Sequence, residues 1–294
     1  MTTFTEAISV VTGGANGIGR ACALAFAKRG SDVIVVDVDA SGAEAVATEI
    51  EALGREAVAI PTDVGDQLSV EHMCDAALEW QGRIDVFLNN AGIAVGGPPH
   101  LIPVADWDAA MRVNLWASIW TARKVIPHML ERGSGSFAAM SSPAGLRGVP
   151  MLGPYCVSKF ALNGFLECLA VYCYGKGVSV QVAMPGPPLA TTIIKSARVT
   201  YEDADLKEDE ARDKAHRTWS TIAQPPDDLA EKTADGIERG DFYIFHSDQT
   251  PVTTAERFAD LDGWLKEQSA LFEDDASFGA DPLVTSSKTA AKLA

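Results

Sequence analysis

Cysteine is scarce in this chain, and its few copies are arranged in a way that excludes several kinds of site. The 294 residues include five cysteines, an odd number with no CxxC or Cys/His spacing suited to a metal ion. Buried free thiols are therefore expected. Cys156 lacks the neighbouring histidine that a thiolate nucleophile needs.

Segments that would carry the chain into or across a membrane are also lacking. No uninterrupted apolar stretch approaches the roughly 20 residues that a membrane-spanning helix requires. The first six residues, Met-Thr-Thr-Phe-Thr-Glu, contain no basic region followed by an apolar one, so no signal peptide is expected. A cytoplasmic location follows as an expectation.

Basic residues are outnumbered by acidic ones, most strongly towards the C-terminus. The formal net charge at pH 7 is −16, from 24 basic and 40 acidic residues. Residues 1–199 contain 14 basic and 18 acidic side chains, whereas residues 200–294 contain 10 and 22. Such a charge repels phosphate backbones and anionic lipid headgroups, so we expect neither nucleic acid nor a membrane surface as a partner.

What the sequence does contain, up to about residue 190, is an alternation of short apolar runs with amphipathic segments of helical length. This pattern is typical of an α/β fold in which helices cover both faces of a parallel sheet. The apolar runs predict strands at residues 8–12, 32–37, 57–61, 84–89, 136–140 and 178–184, with a seventh at 242–245. The segments between the first six predict helices at 17–29, 42–53, 68–80, 106–130 and 155–174.

Beyond residue 184 the pattern changes. A charged segment at 195–217 is interpreted as a helical insertion, residues 254–272 have helical periodicity, and residues 276–294 have the composition of a tail. We therefore expect one domain over residues 1–250, including a substrate lid at about 187–220, and a C-terminal helical extension with a tail over 251–294.

The turn after the first predicted strand is rich in glycine. The segment Thr12-Gly-Gly-Ala-Asn-Gly-Ile-Gly19 follows a strand and opens a helix, the context in which such a loop binds the pyrophosphate of a dinucleotide. Gly13 suits the tight turn, Gly17 lets a backbone amide approach the pyrophosphate, and Gly19 lets the helix pack closely on the strand. Taken alone, these residues are compatible with an ordinary turn.

A carboxylate ends the second predicted strand. Asp37 lies roughly 20 residues beyond the glycine loop, where it can accept both hydroxyls of an adenosine ribose and repel a 2′-phosphate. No basic residue directly follows it, and Asn16 stands in the loop where a basic residue would favour NADP. The predicted cofactor is therefore NAD in preference to NADP. Asp63 has two interpretations, a ligand of the adenine amino group or a helix N-cap.

Tyr155 and Lys159 lie four residues apart on a predicted helix, which places them on one face about one turn apart. An ammonium at Lys159 would favour the phenolate of Tyr155, so that a phenol with an ordinary pKa near 10 could exchange protons near neutrality. An ordinary amphipathic helix surface can carry the same pair. The residues around the pair decide between these interpretations.

Six motifs occur in one order along the chain: Thr12-Gly-x-x-x-Gly-x-Gly19, Asn89-Asn90-Ala91-Gly92, Asn114, Ser142, Tyr155-x-x-x-Lys159 and Pro185-Gly186. In this combination residues 5–190 resemble the short-chain dehydrogenase/reductase (SDR) family, and the whole chain resembles members with an extended acidic C-terminus. The resemblance implies a doubly wound Rossmann fold. Its parallel sheet would have seven strands in the order 3-2-1-4-5-6-7, followed by the C-terminal helical extension.

The resemblance also implies the roles of four catalytic residues. Tyr155 would be the acid/base, and Lys159 would lower its pKa and bind the nicotinamide ribose. Ser142 would donate a hydrogen bond to the substrate oxygen; it is preferred to Ser141, the fallback, because it lies 13 positions before Tyr155. Asn114 would hold a water linked to Lys159. No metal is expected, and the implied cofactor contacts are Gly13, Asn16, Gly17, Ile18, Gly19, Asp37, Asp63, Val64, Asn90, Ala91, Gly92, Tyr155, Lys159, Pro185, Gly186, Pro188 and Thr191.

The sequence departs from the family pattern directly after Pro185-Gly186. The family usually has a β-branched residue and a threonine there that hold the nicotinamide carboxamide, whereas this chain has Pro188 and Ala190. Proline cannot donate a backbone hydrogen bond. Either Thr191 takes the contact through a shifted loop, which we favour, or the contact is weakened.

Substrate specificity is expected from the loops at the carboxyl ends of the strands. These loops are mostly apolar, with Arg147 the one evident basic group, so the predicted substrate is a hydrophobic or aromatic secondary alcohol or its ketone. Lid or core packing explains each apolar residue equally well. The expected substrate contacts are Val95, Ser142, Met151, Leu152, Leu189 and Ile193.

The predicted function is an NAD(H)-dependent oxidoreductase that interconverts such an alcohol and its ketone, acting as a homodimer or homotetramer. Trp116 and Trp120 lie on the long helix that forms part of the family's four-helix dimer interface, although core packing is the other explanation for them. One alternative function is a nucleotide-sugar epimerase or dehydratase, whose relatives lack Asn-Asn-Ala-Gly. The other is a non-enzymatic NAD sensor, whose relatives typically lose the tyrosine or the lysine.

Overall fold

Seven parallel strands form the central sheet of the computed structural model, which describes residues 3–186, 193, 198–199 and 224–274. In chain order the strands are β1 (Ile8–Thr12), β2 (Asp32–Asp37), β3 (Ala57–Pro61), β4 (Val86–Asn89), β5 (Val95–Gly96), β6 (Gly135–Met140), β7 (Val178–Met184), β8 (Arg198–Val199) and β9 (Tyr243–Phe245). The short strands β5 and β8 pair with each other outside the sheet. The sheet has the order β3-β2-β1-β4-β6-β7-β9, which confirms the predicted order of the seven main strands.

Alternate residues of the central strands pack on opposite faces of the sheet. Val10, Phe87 and Phe137 are register neighbours on β1, β4 and β6, and they belong to the apolar core on one face. The residues that follow them, Val11, Leu88 and Ala138, belong to the core on the other face. Both faces are buried, which is why these strands read as continuous apolar runs.

Helices cover both faces of the sheet. They are α1 (Gly17–Lys28), α2 (Ala40–Ala52), α3 (Gln67–Gln81), α4 (Val104–Met111), α5 (Ala117–Arg132), α6 (Gly153–Cys173), α7 (Asp227–Arg239), α8 (Gln249–Ala259) and α9 (Leu261–Asp274). Gly82 and Gly133 end α3 and α5 in the left-handed conformation expected of a helix C-terminus.

Three local expectations need correction. The predicted helix at 106–130 is two α-helices joined by a π-helical turn, Arg112–Trp116. The predicted helix at 254–272 is interrupted at Asp260, which ends α8 with extended backbone. Asp66, not Asp63, caps α3 through a hydrogen bond from Ser69 N at 2.8 Å, so the N-cap interpretation of Asp63 was wrong. The insertion predicted at 195–217, apart from residues 198–199, and the tail at 276–294 lie outside the described residues.

One helix also changes the expectation about membrane-spanning segments. By length and composition alone, Gly153–Cys173 could cross a membrane, and it is the single helix of this kind in the ranges that the structure describes. Lys159 and Glu167 interrupt its apolar residues, which is why the sequence shows no unbroken run. This helix packs on β7 and carries buried residues, as core helices of globular proteins do, so the signal for a membrane span is weak.

An ion-pair cluster holds α7 against α1. The Arg29 guanidinium, at the end of α1, lies 2.7 Å from Glu231, 2.6 Å from Asp235 and 2.9 Å from Glu238. The three carboxylates lie on one face of α7, and they make a network rather than an isolated pair, the arrangement in which surface ion pairs contribute most.

Candidate active site

The glycine loop lies at the carboxyl end of β1, and steric limits account for two of its glycines. Gly13 has a φ of 65°, and a Cβ there would lie 2.9 Å from Ala91 Cα. A Cβ on Gly19 would lie 2.0 Å from Gly13 O. A side chain at residue 13 would therefore push the loop away from Ala91, and a side chain at residue 19 would push α1 away from the loop. The close approach leaves the first N–H groups of α1 facing the loop, where a helix terminus can bind an anion.

Asn90 fixes this loop from the end of β4. Its Nδ2 donates hydrogen bonds to the carbonyls of Thr12 and Gly13, at 2.9 and 3.2 Å. In return, Thr12 Oγ1 accepts from the backbone amides of Asn90 and Ala91, at 3.0 and 3.1 Å. The loop is thus braced across two neighbouring strands before any ligand binds.

Asp37 faces the same loop from the end of β2. Its two carboxylate oxygens accept hydrogen bonds from Ala15 N and Asp39 N, both at 3.0 Å. A carboxylate has about four acceptor positions, so two remain for the hydroxyls of a ribose. Asp63 Oδ1 accepts from Gly65 N at 2.8 Å. Of the remaining predicted contacts nearby, Asn16 directly precedes α1, Ile18 packs on the core and Val64 is buried.

Lys159 is buried near the carboxyl end of β6. Its Nζ donates to Met140 O at 2.9 Å and lies 5.7 Å from the centroid of the Tyr155 ring. Burial lowers the pKa of this amine to about 8. The helix α6 positions both residues, because it begins at Gly153 and presents Tyr155 and Lys159 one turn apart.

Tyr155 departs from the expected acidity. Removal from solvent raises the pKa of its phenol to about 12, although a hydrogen bond with Ser142 acts in the opposite direction. The spacing of Tyr155 and Lys159 predicts instead that the lysine ammonium dominates and lowers this pKa. That expectation was wrong for the protein without its ligands, because the low-dielectric surroundings disfavour the phenolate more than the nearby groups stabilise it.

The two consecutive serines have different partners. Ser142 acts on Tyr155 by opposing the rise in its pKa, and its Oγ accepts a hydrogen bond from Ala144 N at 3.1 Å. Ser141 donates to Asn163 Oδ1 at 2.6 Å in the buried interior. Ser142 is thus the serine that the structure places beside Tyr155.

Asn114 lies on the π-helical turn, and its side-chain amide is fully engaged. Its Oδ1 accepts from Ile93 N at 2.9 Å, and its Nδ2 donates to Ile93 O and Ser158 Oγ, both at 3.0 Å. Ser158 Oγ in turn donates to Tyr155 O at 2.7 Å. A Cβ on Gly92 would lie 3.3 Å from Asn114 Oδ1 and 3.8 Å from Lys159 Nζ. The structure therefore gathers Gly92, Asn114 and Lys159 around one space.

The predicted substrate contacts are divided among separate places. Leu152 and Ile193 belong to a small apolar cluster that includes Cys156 and packs against Tyr155. Val95 is 1% exposed and packs elsewhere, with Ile102 and Ala110, as the core-packing alternative describes. Met151 has a φ of 63°, an uncommon backbone conformation for a residue with a side chain. Pro188, Leu189 and Thr191 lie outside the described residues, so the carboxamide contact stays a prediction.

Two residues beside the site, His246 and Asp228, were not predicted from the sequence. Gly186, two residues after the end of β7, donates its backbone N–H to Nδ1 of His246 at 3.1 Å, and Nε2 of that ring lies 3.0 Å from Asp228 Oδ2. A histidine immediately after the last strand of a parallel sheet is a signal that could have indicated this position, since carboxyl ends of neighbouring strands meet at one edge.

These groups together fit a nicotinamide dinucleotide. The glycine loop leaves no room for a side chain, Asp37 keeps acceptor positions for ribose hydroxyls, and the Lys159 amine has hydrogens beyond the one given to Met140. The family model described as short chain dehydrogenase matches residues 7–202. The chain belongs to the short-chain dehydrogenase/reductase family. It is therefore an oxidoreductase-family enzyme with a fold that binds nicotinamide cofactors.

Known SDR proteins resemble the chain over most of its length. D-threitol dehydrogenase of Mycolicibacterium smegmatis is 35% identical over 178 residues, covering 60% of this chain and 68% of the relative. An SDR from Burkholderia phymatum in complex with NAD has a TM-score of 0.79 and 27% identity, covering 89% and 96% of the two chains. A metagenomic short-chain oxidoreductase in complex with NADP has a TM-score of 0.66 and 28% identity, covering 83% and 97%. Both forms of the cofactor thus occur among similar structures.

Proposed function

We propose that the protein is an NAD(H)-dependent oxidoreductase that interconverts a hydrophobic or aromatic secondary alcohol and its ketone. The observation that carries the proposal is the grouping of Ser142, Tyr155 and Lys159 at the carboxyl edge of the sheet. The Ser142 side chain opposes the rise in the pKa of the phenol, and the buried amine lies 5.7 Å from the ring centroid. This grouping stands beside the braced glycine loop, so a proton donor faces the place where a bound dinucleotide would end.

The proposed cofactor residues divide between the two ends of the dinucleotide. Gly13, Gly17 and Gly19 bring backbone amides to the pyrophosphate, with Asn90 holding their loop. Asp37 accepts from the adenosine ribose, and its charge supports NAD over NADP because it would repel a 2′-phosphate. Lys159 hydrogen-bonds the nicotinamide ribose. The bound cofactor supplies or accepts a hydride.

The proton chemistry follows from the positions of Tyr155, Ser142 and Lys159. With a pKa of about 12, the Tyr155 phenol is protonated at neutral pH and can give its proton to a developing alkoxide during ketone reduction. Ser142 stabilises the same oxygen by donating a hydrogen bond. In alcohol oxidation Tyr155 must accept the proton, which requires additional positive charge near the phenol to lower its pKa.

The apolar cluster beside Tyr155 supports the substrate class. Leu152, Ile193, Ala94, Ala144 and Cys156 contribute apolar atoms to this cluster, and apolar surroundings beside the phenol favour a hydrophobic group on the carbon that carries the hydroxyl. The relative named for D-threitol shows that polar substrates belong in the comparison panel.

Exposed aromatic and apolar side chains support the proposed homodimer or homotetramer. Trp116 is 45% exposed and stacks on Trp120 with ring centroids 6.3 Å apart. On the neighbouring helix α6, Val157 and Phe160 are also exposed. Exposed apolar patches of this kind mark interfaces, and their place on α5, α6 and the π-helical turn is compatible with pairing through these helices.

A cytoplasmic location is part of the same proposal. All five cysteines are free thiols in the structure, as is usual in a reducing compartment.

The test is a steady-state assay of nicotinamide absorbance, using aryl and alkyl secondary alcohols, their ketones, and polyols of similar size. We expect turnover of hydrophobic substrates with NAD or NADH. A preference for NADP would contradict the cofactor assignment, and a preference for polyols would contradict the substrate class. Cofactor binding without turnover of any substrate would favour the sensor alternative.

A further inference from the structure

His246 joins the last strand of the sheet to the turn that leaves β7. Its backbone N donates to Met184 O at 3.0 Å, which continues the pairing of β9 with β7 beyond Phe245. The residue is 8% exposed. Its Nδ1 accepts the Gly186 N–H at 3.1 Å, so the imidazole is the hydrogen-bond partner of the first peptide group after the strand and Pro185.

The hydrogen bonds of His246 define its tautomer. Because Nδ1 accepts from a backbone N–H, it carries no proton, and the ring proton of a neutral imidazole must lie on Nε2. That nitrogen faces Asp228 Oδ2 at 3.0 Å, on the first turn of α7. A carboxylate that accepts from one ring nitrogen sets the role of the other.

Lys232 holds this carboxylate in place. Its Nζ lies 3.0 Å from Asp228 Oδ2 and donates to His246 O at 3.0 Å. The hydrogen bond from Lys232 is the largest influence that lowers the pKa of Asp228, and His246 adds to it. Asp228, held by Lys232, therefore occupies the Nε2 side of the His246 ring, and Gly186 occupies the Nδ1 side.

The fit between the ring and the turn is close. A Cβ on residue 186 would lie 2.8 Å from His246 Nδ1 and 3.2 Å from Ser247 Cβ. A side chain there would displace the imidazole and break the hydrogen bond. Gly186 thus has a steric reason to be glycine, which is the close approach of His246 and Ser247.

We propose that His246 is a positioning residue that orients the Pro185-Gly186 turn for the nicotinamide half of the cofactor, with Asp228 fixing its tautomer. The inference rests on the proposed function, because Pro185 and Gly186 are cofactor contacts only there. His246 itself touches the turn and not the reacting atoms. Losing its Nδ1 acceptor leaves the Gly186 N–H without a partner and frees the peptide plane between Pro185 and Gly186.

The test compares two amide substitutions of similar size and polarity. In His246→Asn the side-chain oxygen can take the place of Nδ1 and accept from Gly186, whereas in His246→Gln the amide reaches the place of Nε2 and faces Asp228. Dissociation constants are measured for NADH and for ADP-ribose, which has no nicotinamide. For His246→Gln we expect the Kd of NADH to rise about tenfold, with the Kd of ADP-ribose changing less than about twofold. His246→Asn should bind NADH within about threefold of the unmodified protein.

A second variant guards against poor folding of the first. Asp228 is exposed, so Asp228→Ala leaves the core intact while removing the group that fixes the tautomer; it should raise the Kd of NADH about threefold and leave that of ADP-ribose unchanged. Equal weakening of both ligands, or no weakening in either variant, would overturn the positioning role. Failure of the unmodified protein to bind NADH would instead overturn the proposed function.

Discussion

At the proposed adenosine end of the candidate site the chain is held by backbone sterics and by motif residues, whereas at the proposed nicotinamide end the Gly186 turn is held by a side chain that belongs to no motif. Gly13, Gly19 and Asn90 shape the first end. At the second, the Gly186 turn depends on His246, sixty positions further along the chain. Motifs can record the first kind of constraint, because Asn90 and the glycine loop that it holds both belong to motifs. They cannot record the second, since the partner of Gly186 is chosen by the folded sheet.

The largest expected effect is at Tyr155, on the nicotinamide side of this comparison. Tyr155→Phe removes the proton donor, so kcat should fall by about a thousandfold, while the Kd of NADH stays within about twofold because the glycine loop, Asp37 and Lys159 are unchanged. Tyr172→Phe, on an exposed side chain of the same helix, is the matched control and should leave kcat unchanged. Residual turnover above about a few per cent in Tyr155→Phe would remove Tyr155 as the acid/base.

The next effect belongs to the glycine loop. A methyl group at residue 19 would lie 2.0 Å from Gly13 O, so Gly19→Ala must displace the start of α1, and the Kd of ADP-ribose should rise at least about tenfold. Gly164→Ala, where a Cβ meets nothing within 4 Å, controls for replacing a glycine in a helix. Unchanged ADP-ribose binding by Gly19→Ala would show that the loop does not hold the pyrophosphate.

A smaller effect should appear in cofactor preference. Asp37→Ala removes the carboxylate that would repel a 2′-phosphate, so the ratio of kcat/KM for NAD to that for NADP should fall about tenfold. Asp37→Asn keeps an acceptor for Ala15 N and should separate the effect of charge from that of loop support. An unaltered ratio in both variants would assign cofactor choice to other residues.

The smallest effect concerns the cost of burying Lys159. Its pKa of about 8 in the folded protein lies below the ordinary lysine value of 10.5, so between these values the unfolded chain binds more protons and stability rises with pH. The unfolding free energy of the wild type minus that of Lys159→Met should therefore increase by about 1 kcal/mol from pH 7 to pH 9. Denaturant titrations at both pH values measure this difference. The titration of the buried thiols contributes equally to the unfolding free energies of both proteins, so it cancels in this difference. A flat difference would mean that the amine is not desolvated.

Much of the fold is predictable because the signals are local. Runs such as Asp32-Val-Ile-Val-Val-Asp37 match β2 at both ends, and the family and sheet order are confirmed. Helix boundaries were less predictable where tertiary contacts decide them. The π-helical turn surrounds Asn114, whose amide bonds Ile93 on the chain after β4, and nothing in the sequence of the helix itself indicates that partner.

The candidate site, like the fold, was predictable from the sequence only in part. The residue types and spacing of Tyr155 and Lys159 could be identified in the sequence, and the structure brings both beside Ser142. The direction of the Tyr155 pKa shift could not, because burial depends on every element packed around the phenol. The roles of the individual site residues stay predictions until the variants are measured.

The ion-pair cluster at Arg29 has a mechanical consequence for the two ends of the site. Helix α1 starts in the glycine loop at Gly17 and ends beside Arg29, which forms ion pairs with three carboxylates of α7. Helix α7 starts beside Asp228, the partner of His246. The distance between the glycine loop and the Gly186 turn therefore depends on how α1 and α7 pack, because each helix begins at one of these two places and the Arg29 ion pairs join them.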